Sequence, residues 1–325
     1  MIRSLLAGCG LALSLCAPVL AQTYPNQPIT VIVPYAPGGN TDVVGRIVTE
    51  QMSIILGQKL VIENIGGAGG TTGSLKAARA APDGYTLLVG QMGTHAASVG
   101  LYPNLPYDPV NDFEHIGQLS DTPIGIFVRK NLQVKDLQGL IAMIKANPDK
   151  LNNGHGGVGS TSHVSCVFFT SLIGARPPMI PYRGSGPAFQ DILSEQYDFL
   201  CDQIPHTVGH VKAGSVRMLA IALPERSDAV PDVPTTIEAG LPAYQASGWN
   251  AMFAPKGTPK PIVDKLNAAL RQALDDPSVK ARLEGIGAVL PRAQNRSSDG
   301  LKAFVGTEIQ KWAPIMKAAN IEPPK

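Results

Sequence analysis

Glycines followed by hydroxyl and amide side chains are the residues of this sequence best placed for chemistry. The first such segment spans residues 34–42, where Gly38 and Gly39 precede Asn40 and Thr41. Glycine lets the backbone turn tightly and approach a guest closely, and the free N–H groups of a helix start attract an anion. The segment predicts either a carboxylate-binding loop or a plain strand-to-helix turn with a side-chain cap.

A second segment has the same layout later in the chain. Gly159 precedes Ser160, Thr161 and Ser162 at the start of another predicted helix, and His163 follows. Two helix starts that face each other across a cleft can hold both ends of a small dianion without a buried lysine or arginine. The alternative is an ordinary capped helix start, in which His163 packs in the interior or lies at the surface.

Two arginines stand close to these segments. Arg183 follows a predicted strand, and its guanidinium can bind a carboxylate through two parallel hydrogen bonds or pair with an acid at the surface. Arg46 lies four residues after Asp42. That spacing predicts an ion pair on the surface of a helix rather than a charged pocket.

Enzyme signatures are largely missing. The glycine-rich run at residues 66–73 lacks the last glycine of the dinucleotide fingerprint, and no nucleophile elbow, P-loop or His-Glu-x-x-His motif occurs. His206 and His210 are spaced to share a metal, but no acidic or cysteine partner is spaced to complete the site. The sequence therefore predicts no catalytic residue, no metal and no cofactor.

Composition and charge narrow the function further. The chain has 325 residues, of which 44% are apolar and 16% are charged, and its net charge is +2 without a lysine- or arginine-rich run. Such a chain can bury a core, but it offers no electrostatic surface for nucleic acid or for an anionic membrane. Nucleic acid is therefore not expected as a partner.

The first 21 residues are typical of a secretory signal peptide. Arg3 gives a basic start, residues 5–15 form an apolar run too short to span a bilayer, and Val19–Ala21 provides a small-residue cleavage site. Cleavage after Ala21 predicts an exported, periplasmic protein. Cys166 and Cys201 then remain; in an oxidising compartment they are a disulfide candidate, and the alternative is a pair of buried thiols.

Strand and helix patterns alternate along the chain. Continuous β-rich runs occur at Ile29–Val33, Leu60–Glu63 and Tyr85–Val89, and an apolar helical stripe spans residues 43–55. This βαβαβ order predicts a parallel sheet with helices on its faces, in which ligands bind at the carboxyl ends of the strands. A similar α/β pattern starts again near Ile124.

Two α/β units joined by two crossings of the chain predict a hinge. The helical C-terminal segment is expected to return and pack on the first unit. We therefore expect domain 1 to comprise residues 22–123 plus 251–325, and domain 2 to comprise residues 124–250.

The same residues resemble the Bug family, the extracytoplasmic solute receptors of tripartite tricarboxylate transporters. The similarity runs over nearly the whole mature chain, and so many ordered matches are specific to the family. Glu195, where the family usually has glycine, and Cys201, where it is usually apolar, depart from the pattern. The matching motifs include Pro37-Gly38-Gly39 with Asp42 and Arg46, Glu63-Asn64, residues 82–87, Gly159-Ser160, Pro181-Tyr182-Arg183-Gly184, residues 231–235, Glu238-Ala239-Gly240 and residues 257–259.

The resemblance implies an α/β periplasmic binding protein of type II (Venus-flytrap), in which two domains, each a mostly parallel sheet flanked by helices, close on a small carboxylate. It places Asp202 near the ligand and makes Gly90–His95, with Thr94 and His95, a third loop of the cleft. The residues that it implies as ligand-binding are Tyr35, Pro37, Gly38, Gly39, Asn40 and Thr41 on one side, and Gly159, Ser160, Thr161 and Ser162 on the other.

These observations together predict an exported solute receptor. It should capture a small mono- or dicarboxylate, act as a monomer and deliver the ligand to integral-membrane transporter subunits without covalent chemistry. Two alternatives remain open at this point. One is a receptor that reports its ligand to a sensor kinase, and the other is an exported α/β hydrolase.

Overall fold

The computed structural model describes residues 24–319, so the predicted signal peptide and its cleavage site lie outside the described residues. The strands are β1 Ile29–Val33, β2 Leu60–Asn64, β3 Thr86–Gln91, β4 Phe113–Arg129, β5 Asn153–His155, β6 Met179–Pro181, β7 Phe199–Gln203, β8 Val216–Ile221 and β9 Ser247–Pro255. The helices are α1 Asn40–Leu56, α2 Thr71–Ala78, α3 Ser98–Leu101, α4 Leu137–Ala146, α5 Thr161–Leu172, α6 Ser185–Leu193, α7 Val208–Lys212, α8 Lys260–Asp275, α9 Pro277–Gly285 and α10 Ser298–Ala318.

The strands form two mixed sheets that share one long strand. In the first, β1 pairs in parallel with β2 and β3, as the βαβαβ pattern predicts, and β9 then lies antiparallel between β3 and β4. In the second, β5 pairs in parallel with β6 and β7, whereas β4 pairs antiparallel with β7 and β8. The predicted α/β fold is confirmed, but both sheets are mixed rather than mostly parallel, because the crossing strands β4 and β9 pair antiparallel with their neighbours.

We call the first sheet with α1–α3 and α8–α10 the first lobe, and β5–β8 with α4–α7 the second lobe. The seventeen-residue strand β4 runs through both: it pairs with β9 as far as Pro123 and with β7 from Ile124 onward. Both predicted crossings, near residues 121–125 and 247–250, lie on β4 and β9. The domain limits 22–123 plus 251–325 and 124–250 stay a prediction.

Helices cover the sheets through apolar faces. In α8, Val263, Leu266 and Leu270 are buried against α1 and β4. Helix α10 returns to β4 and α3, as expected of a helical tail that packs on the first lobe. No helix among residues 24–319 is long and apolar enough to cross a membrane.

The predicted disulfide is wrong, because Cys166 and Cys201 are both free thiols. The Cys166 Sγ instead accepts hydrogen bonds from the Cys201 N–H at 2.9 Å and the Asn153 Nδ2 at 2.7 Å. Burial, and after it the neighbouring Cys166, raises the pKa of the Cys201 thiol, which disfavours the thiolate that disulfide exchange requires. The structure therefore shows the alternative, two buried thiols that pack as small apolar side chains.

Candidate functional site

The candidate site is a cavity between the two lobes, at the ends of β1, β3 and β7. Its volume is about 10 Å³, which is room for about one water molecule. The lobes must therefore stand further apart than this to hold an organic acid. The lining residues are Tyr35, Gly39, Asn40, Thr41, Asp42, Gln91, Ser185 and Gln203.

Two helix N-termini face each other across this cavity, those of α1 and α6. Gly39 and Gly184 precede the two helices, and neither helix start has a side-chain cap. A Cβ atom added at Gly39 would lie 3.1 Å from the Gly186 nitrogen. The Ala36 N–H also donates across the lobes to the Arg183 carbonyl at 3.0 Å. Uncapped N–H groups and two helix dipoles thus converge from opposite lobes, an arrangement that favours an anion.

The start of α5, which the sequence predicted to face α1, lies beside the cavity and packs against a different part of the first lobe. A Cβ atom at Gly93 would lie 2.3 Å from the Gly159 carbonyl oxygen. The Ser160 hydroxyl caps α5 by accepting from the His163 N–H at 3.3 Å, and the Gly159 N–H donates to His163 Nδ1 at 3.2 Å. Residues Gly159–Ser162 are therefore placed at the lobe interface, with Thr161 bonded to Gln91.

Gln91 connects the lobes; it lies in the third cleft loop implied by the resemblance, Gly90–His95, of which only Thr94 and His95 were expected to bind the ligand. Its Nε2 donates to the Tyr35 hydroxyl at 2.6 Å, and its Oε1 accepts from the Gly93 N–H at 2.8 Å and from the Thr161 hydroxyl. The Tyr35 hydroxyl in turn donates to the Gly69 carbonyl at 2.9 Å. A polar residue at the carboxyl end of a buried strand was the signal that could have identified Gln91.

Several predicted site residues do not line the cavity. The Thr94 hydroxyl bonds with the backbone of Gln91, and the buried His95 ring stacks on Phe253 with centroids 4.0 Å apart. Pro37 and Gly38 are exposed at the rim. The Arg183 side chain is also exposed, so the structure brings its carbonyl, not its guanidinium, to the contact between lobes.

Asn40 is the first residue of α1 and carries an unpartnered amide. Its exposed fraction is 2%, it lines the cavity, and neither its Nδ2 nor its Oδ1 has a hydrogen-bond partner among the described residues. Leaving a buried polar group without a partner costs about 1–3 kcal/mol. The amide therefore suits a ligand that offers both a donor and an acceptor.

Asp42 adds little negative charge to the cavity because it is fully paired. Its carboxylate accepts from Arg46 Nε at 3.0 Å, the Gly38 N–H at 3.0 Å and Asn64 Nδ2 at 2.9 Å. Burial acts to raise the pKa of Asp42, but these three donors together hold it below its ordinary value. The predicted pair with Arg46 is present, with the arginine half exposed and the acid buried.

Asp202 is the penultimate residue of β7 in the second lobe and is completely buried. Its Oδ1 accepts from the Gln203 N–H at 2.8 Å, while its Oδ2 has no hydrogen-bond partner and lies 3.7 Å from His206 Nε2. Burial raises the pKa of Asp202 to about 7, although the Ser185 hydroxyl and the Gln203 N–H act in the opposite direction. Burial, with a smaller contribution from the neighbouring His210, lowers the pKa of His206 to about 3.

A larger cavity of about 830 Å³ opens to solvent beside the crossing strands and α10. Its acids are Asp121, whose pKa burial raises to about 6, and Glu308, which accepts hydrogen bonds from the indole nitrogens of Trp249 and Trp312 at 2.9 and 3.0 Å. Glu308 is thus used in packing, and this cavity lacks opposed helix starts. The smaller cavity between the lobes has the better chemistry for an anion.

The lining of the smaller cavity supplies amides, hydroxyls and backbone N–H groups, and it contains no lysine, arginine, histidine or cysteine. Such groups recognise and orient a small polar anion. No group of three or more metal-ligating side chains occurs among residues 24–319. Two α/β lobes that are joined by crossing strands and close on a polar cleft define a solute-binding protein.

Comparison with known proteins agrees with this class. Protein BugT of Bordetella pertussis is 36% identical over 93% of this chain and 92% of its own. MatC from Rhodopseudomonas palustris, solved with bound malate, is 44% identical, with a TM-score of 0.87 over 90% of this chain and 100% of its own. An R. palustris protein solved with adipate is 32% identical, with a TM-score of 0.87 over 93% of this chain and 100% of its own.

The model of the tripartite tricarboxylate transporter family receptor matches residues 44–321. The chain belongs to this receptor family, and the predicted resemblance is confirmed. The periplasmic binding protein BugD is also similar in structure, and the two R. palustris proteins hold carboxylates.

Proposed function

We propose that this protein captures a small organic carboxylate in the cleft between α1 and α6 and delivers it to integral-membrane transporter subunits. The observation that carries the proposal is the pair of uncapped helix starts that meet across the cavity from opposite lobes. A ligand that accepts hydrogen bonds from both starts stabilises the closed lobes by its differential affinity for that form. Binding and closure are then one event, which a membrane partner can sense.

The ligand class follows from the unpartnered amide of Asn40. A carboxylate can accept from Nδ2 but cannot donate to Oδ1, whereas a hydroxyl group does both. A short hydroxy acid therefore fits better than an unsubstituted dicarboxylic acid of the same length. The malate held by MatC belongs to this class.

The remaining parts of the proposal concern the state of the protein. The chain is exported to the periplasm after cleavage behind Ala21 and acts as a monomer without covalent chemistry on its ligand. The family is an extracytoplasmic receptor family. The site residues are those of the α1 and α6 starts with Tyr35 and Gln91, and Gly159–Ser162 help to hold the lobes together.

Titration calorimetry and thermal unfolding of the mature chain test the function. A ligand present at 100 times its Kd adds about 2.7 kcal/mol to the free energy of unfolding. We expect at least one small carboxylate of a panel of aliphatic and aromatic acids to do so, with malate bound at least about tenfold more tightly than succinate, which lacks the hydroxyl. Binding of neutral sugars but no acid would contradict the proposal.

A matched variant isolates the contribution of the amide. Asn40→Ala removes both unpartnered atoms and should bring the affinities for malate and succinate within about threefold of each other. Asn104→Ala, at an exposed position outside the cleft, should leave their ratio unchanged. An unchanged ratio in Asn40→Ala would show that another group recognises the hydroxyl.

A further inference from the structure

Asp202 is a buried acid without a cation. It is completely buried, and no lysine or arginine of the described residues forms an ion pair with it. Its Oδ2 lacks a hydrogen-bond partner, although Gln203, the next residue, and Ser185, which lies against it, both line the cavity. A free carboxylate oxygen thus lies immediately behind the wall on which an anion should bind.

The titratable groups around Asp202 are neutral near pH 7, and the ionised acid that lines the cavity, Asp42, is negative and cannot neutralise it. Cys201 precedes Asp202 on β7, Tyr197 lies in the turn before β7, and Tyr35 belongs to the first lobe. Burial raises the pKa of each of these three groups, so each stays protonated and uncharged. His206 approaches from the turn before α7, and burial keeps it uncharged. The opposite residue on β4 is a glycine, and α6 contributes a serine. None of these groups can neutralise a carboxylate.

We propose that Asp202, immediately behind the wall on which the ligand binds, becomes a neutral carboxylic acid when the lobes close on a carboxylate, so that the receptor takes up one proton. This inference rests on the proposed function. Tyr35 is the first-lobe group that opening withdraws from Asp202, so the carboxyl is better solvated and ionised with the lobes apart. Closure reduces this solvation and brings the anion near, so a proton from solvent converts the carboxylate to a carboxylic acid.

The direction of the pH dependence follows from this proton. A bound form that holds one more proton than the free form is favoured as pH falls, because lower pH supplies the proton. The Kd should rise by up to about tenfold per pH unit wherever the open form is ionised and the closed form is protonated. Burial, opposed by the Ser185 hydroxyl and the Gln203 N–H, raises the pKa of Asp202 to about 7, and the ligand's own charge raises it further.

The test is calorimetry of malate binding at pH 7 in buffers of different ionisation enthalpy, since the dependence of the measured heat on the buffer counts protons. We expect close to one proton taken up by the wild type. Asp202→Asn, which keeps the shape of the side chain, should bind with close to zero protons and with a Kd that no longer rises with pH. Asp264→Asn, at an exposed acid paired with Lys260, should keep the wild-type count.

Further outcomes separate this inference from the proposed function. If no carboxylate binds, the proposed function fails; if malate binds with no proton taken up, only the inference fails. His206→Asn should retain the uptake, and its loss there would assign the proton to the histidine instead. Should Asp202→Asn not fold, the infrared band of a protonated carboxyl, appearing in the wild type on addition of malate, supports the assignment, and its absence overturns it.

Discussion

At the scale of single residues, the cleft is suited to bind an anion although no positively charged side chain lines its cavity. Asp42 is neutralised by Arg46 and by two neutral donors, and the Arg183 guanidinium points to solvent. The anion therefore meets N–H groups and amides whose partial charges are fixed by the backbone. The affinity of such a site for an anion should fall when a full negative charge is placed inside it.

Asn40→Asp makes that change with almost no change in shape. We expect the affinity for the preferred carboxylate to fall by at least about tenfold, because a negative side chain then faces an anionic ligand across a closed cavity. The free energy of unfolding should change little, since an acid at a helix start is favourable. Calorimetry and chemical denaturation measure the two effects.

The control for this variant is Asn104→Asp, which adds the same charge at an exposed position outside the cleft. Its affinity should stay within about twofold of the wild type, because exposed charges are screened by salt. Equal losses in both variants would mean that net charge, and not the position of Asn40, governs binding.

The thiols give a second prediction at this scale. Cys166 and Cys201 are buried and unbonded, so a thiol reagent should find close to zero reactive groups in the native mature protein and two after denaturation, without any reductant. A reductant should also leave the Tm unchanged. Thiols that become detectable only after reduction would show that Cys166 and Cys201 form a disulfide.

At the scale of elements, the two uncapped helix starts approach so closely that only glycine fits between them. A Cβ atom at Gly186 would lie 2.3 Å from the Pro37 carbonyl oxygen across the lobes. Gly186 lies within α6, and its backbone does not adopt positive φ. An added methyl group is therefore tolerated by the helix but not by the closed lobes.

Gly186→Ala should consequently hold the lobes apart without unfolding them. We expect a larger radius of gyration than the wild type in the absence of ligand and no loss of stability, because the added methyl group excludes the closest approach of the lobes. Small-angle X-ray scattering and calorimetry measure these quantities. A radius of gyration equal to that of the ligand-free wild type would show that the contact yields at low cost.

Gly306→Ala is the matched control for Gly186→Ala. Gly306 lies in α10, and a Cβ atom there would meet nothing within 4 Å. Replacing an unobstructed helical glycine with alanine should raise the free energy of unfolding by up to about 1 kcal/mol and leave binding unchanged. A loss of affinity here would indicate that α10 takes part in closure.

Sequence patterns predicted the individual strands and helices better than they predicted which elements face each other in the fold. The β-branched run Ile29–Val33 and the glycines before α1 fix a strand, a turn and a helix within one short segment, and these formed as expected. That α6, rather than α5, faces α1 depends on the long-range pairing of β4 with β7 and β9. No local pattern encodes that pairing, which also decides that Gln91 meets Thr161.

At the scale of the whole molecule, β4 and β9 connect the lobes as paired strands rather than as loose linkers. Their pairing continues to Pro123 and Ser247, the last pair before β4 joins the second lobe. Motion concentrated there rotates one lobe against the other and keeps each sheet intact. The small cavity and the close approach of the glycines belong to a closed, ligand-free arrangement of such a hinge.

A crystal structure of the mature protein grown with its tightest-binding carboxylate tests this account most directly. The prediction is one ligand between the lobes, its oxygens accepting hydrogen bonds from N–H groups at the starts of both α1 and α6, with the Asn40 amide paired on both atoms. A ligand bound to one lobe alone, or seated beside Trp249 in the cavity behind the crossing strands, would contradict it.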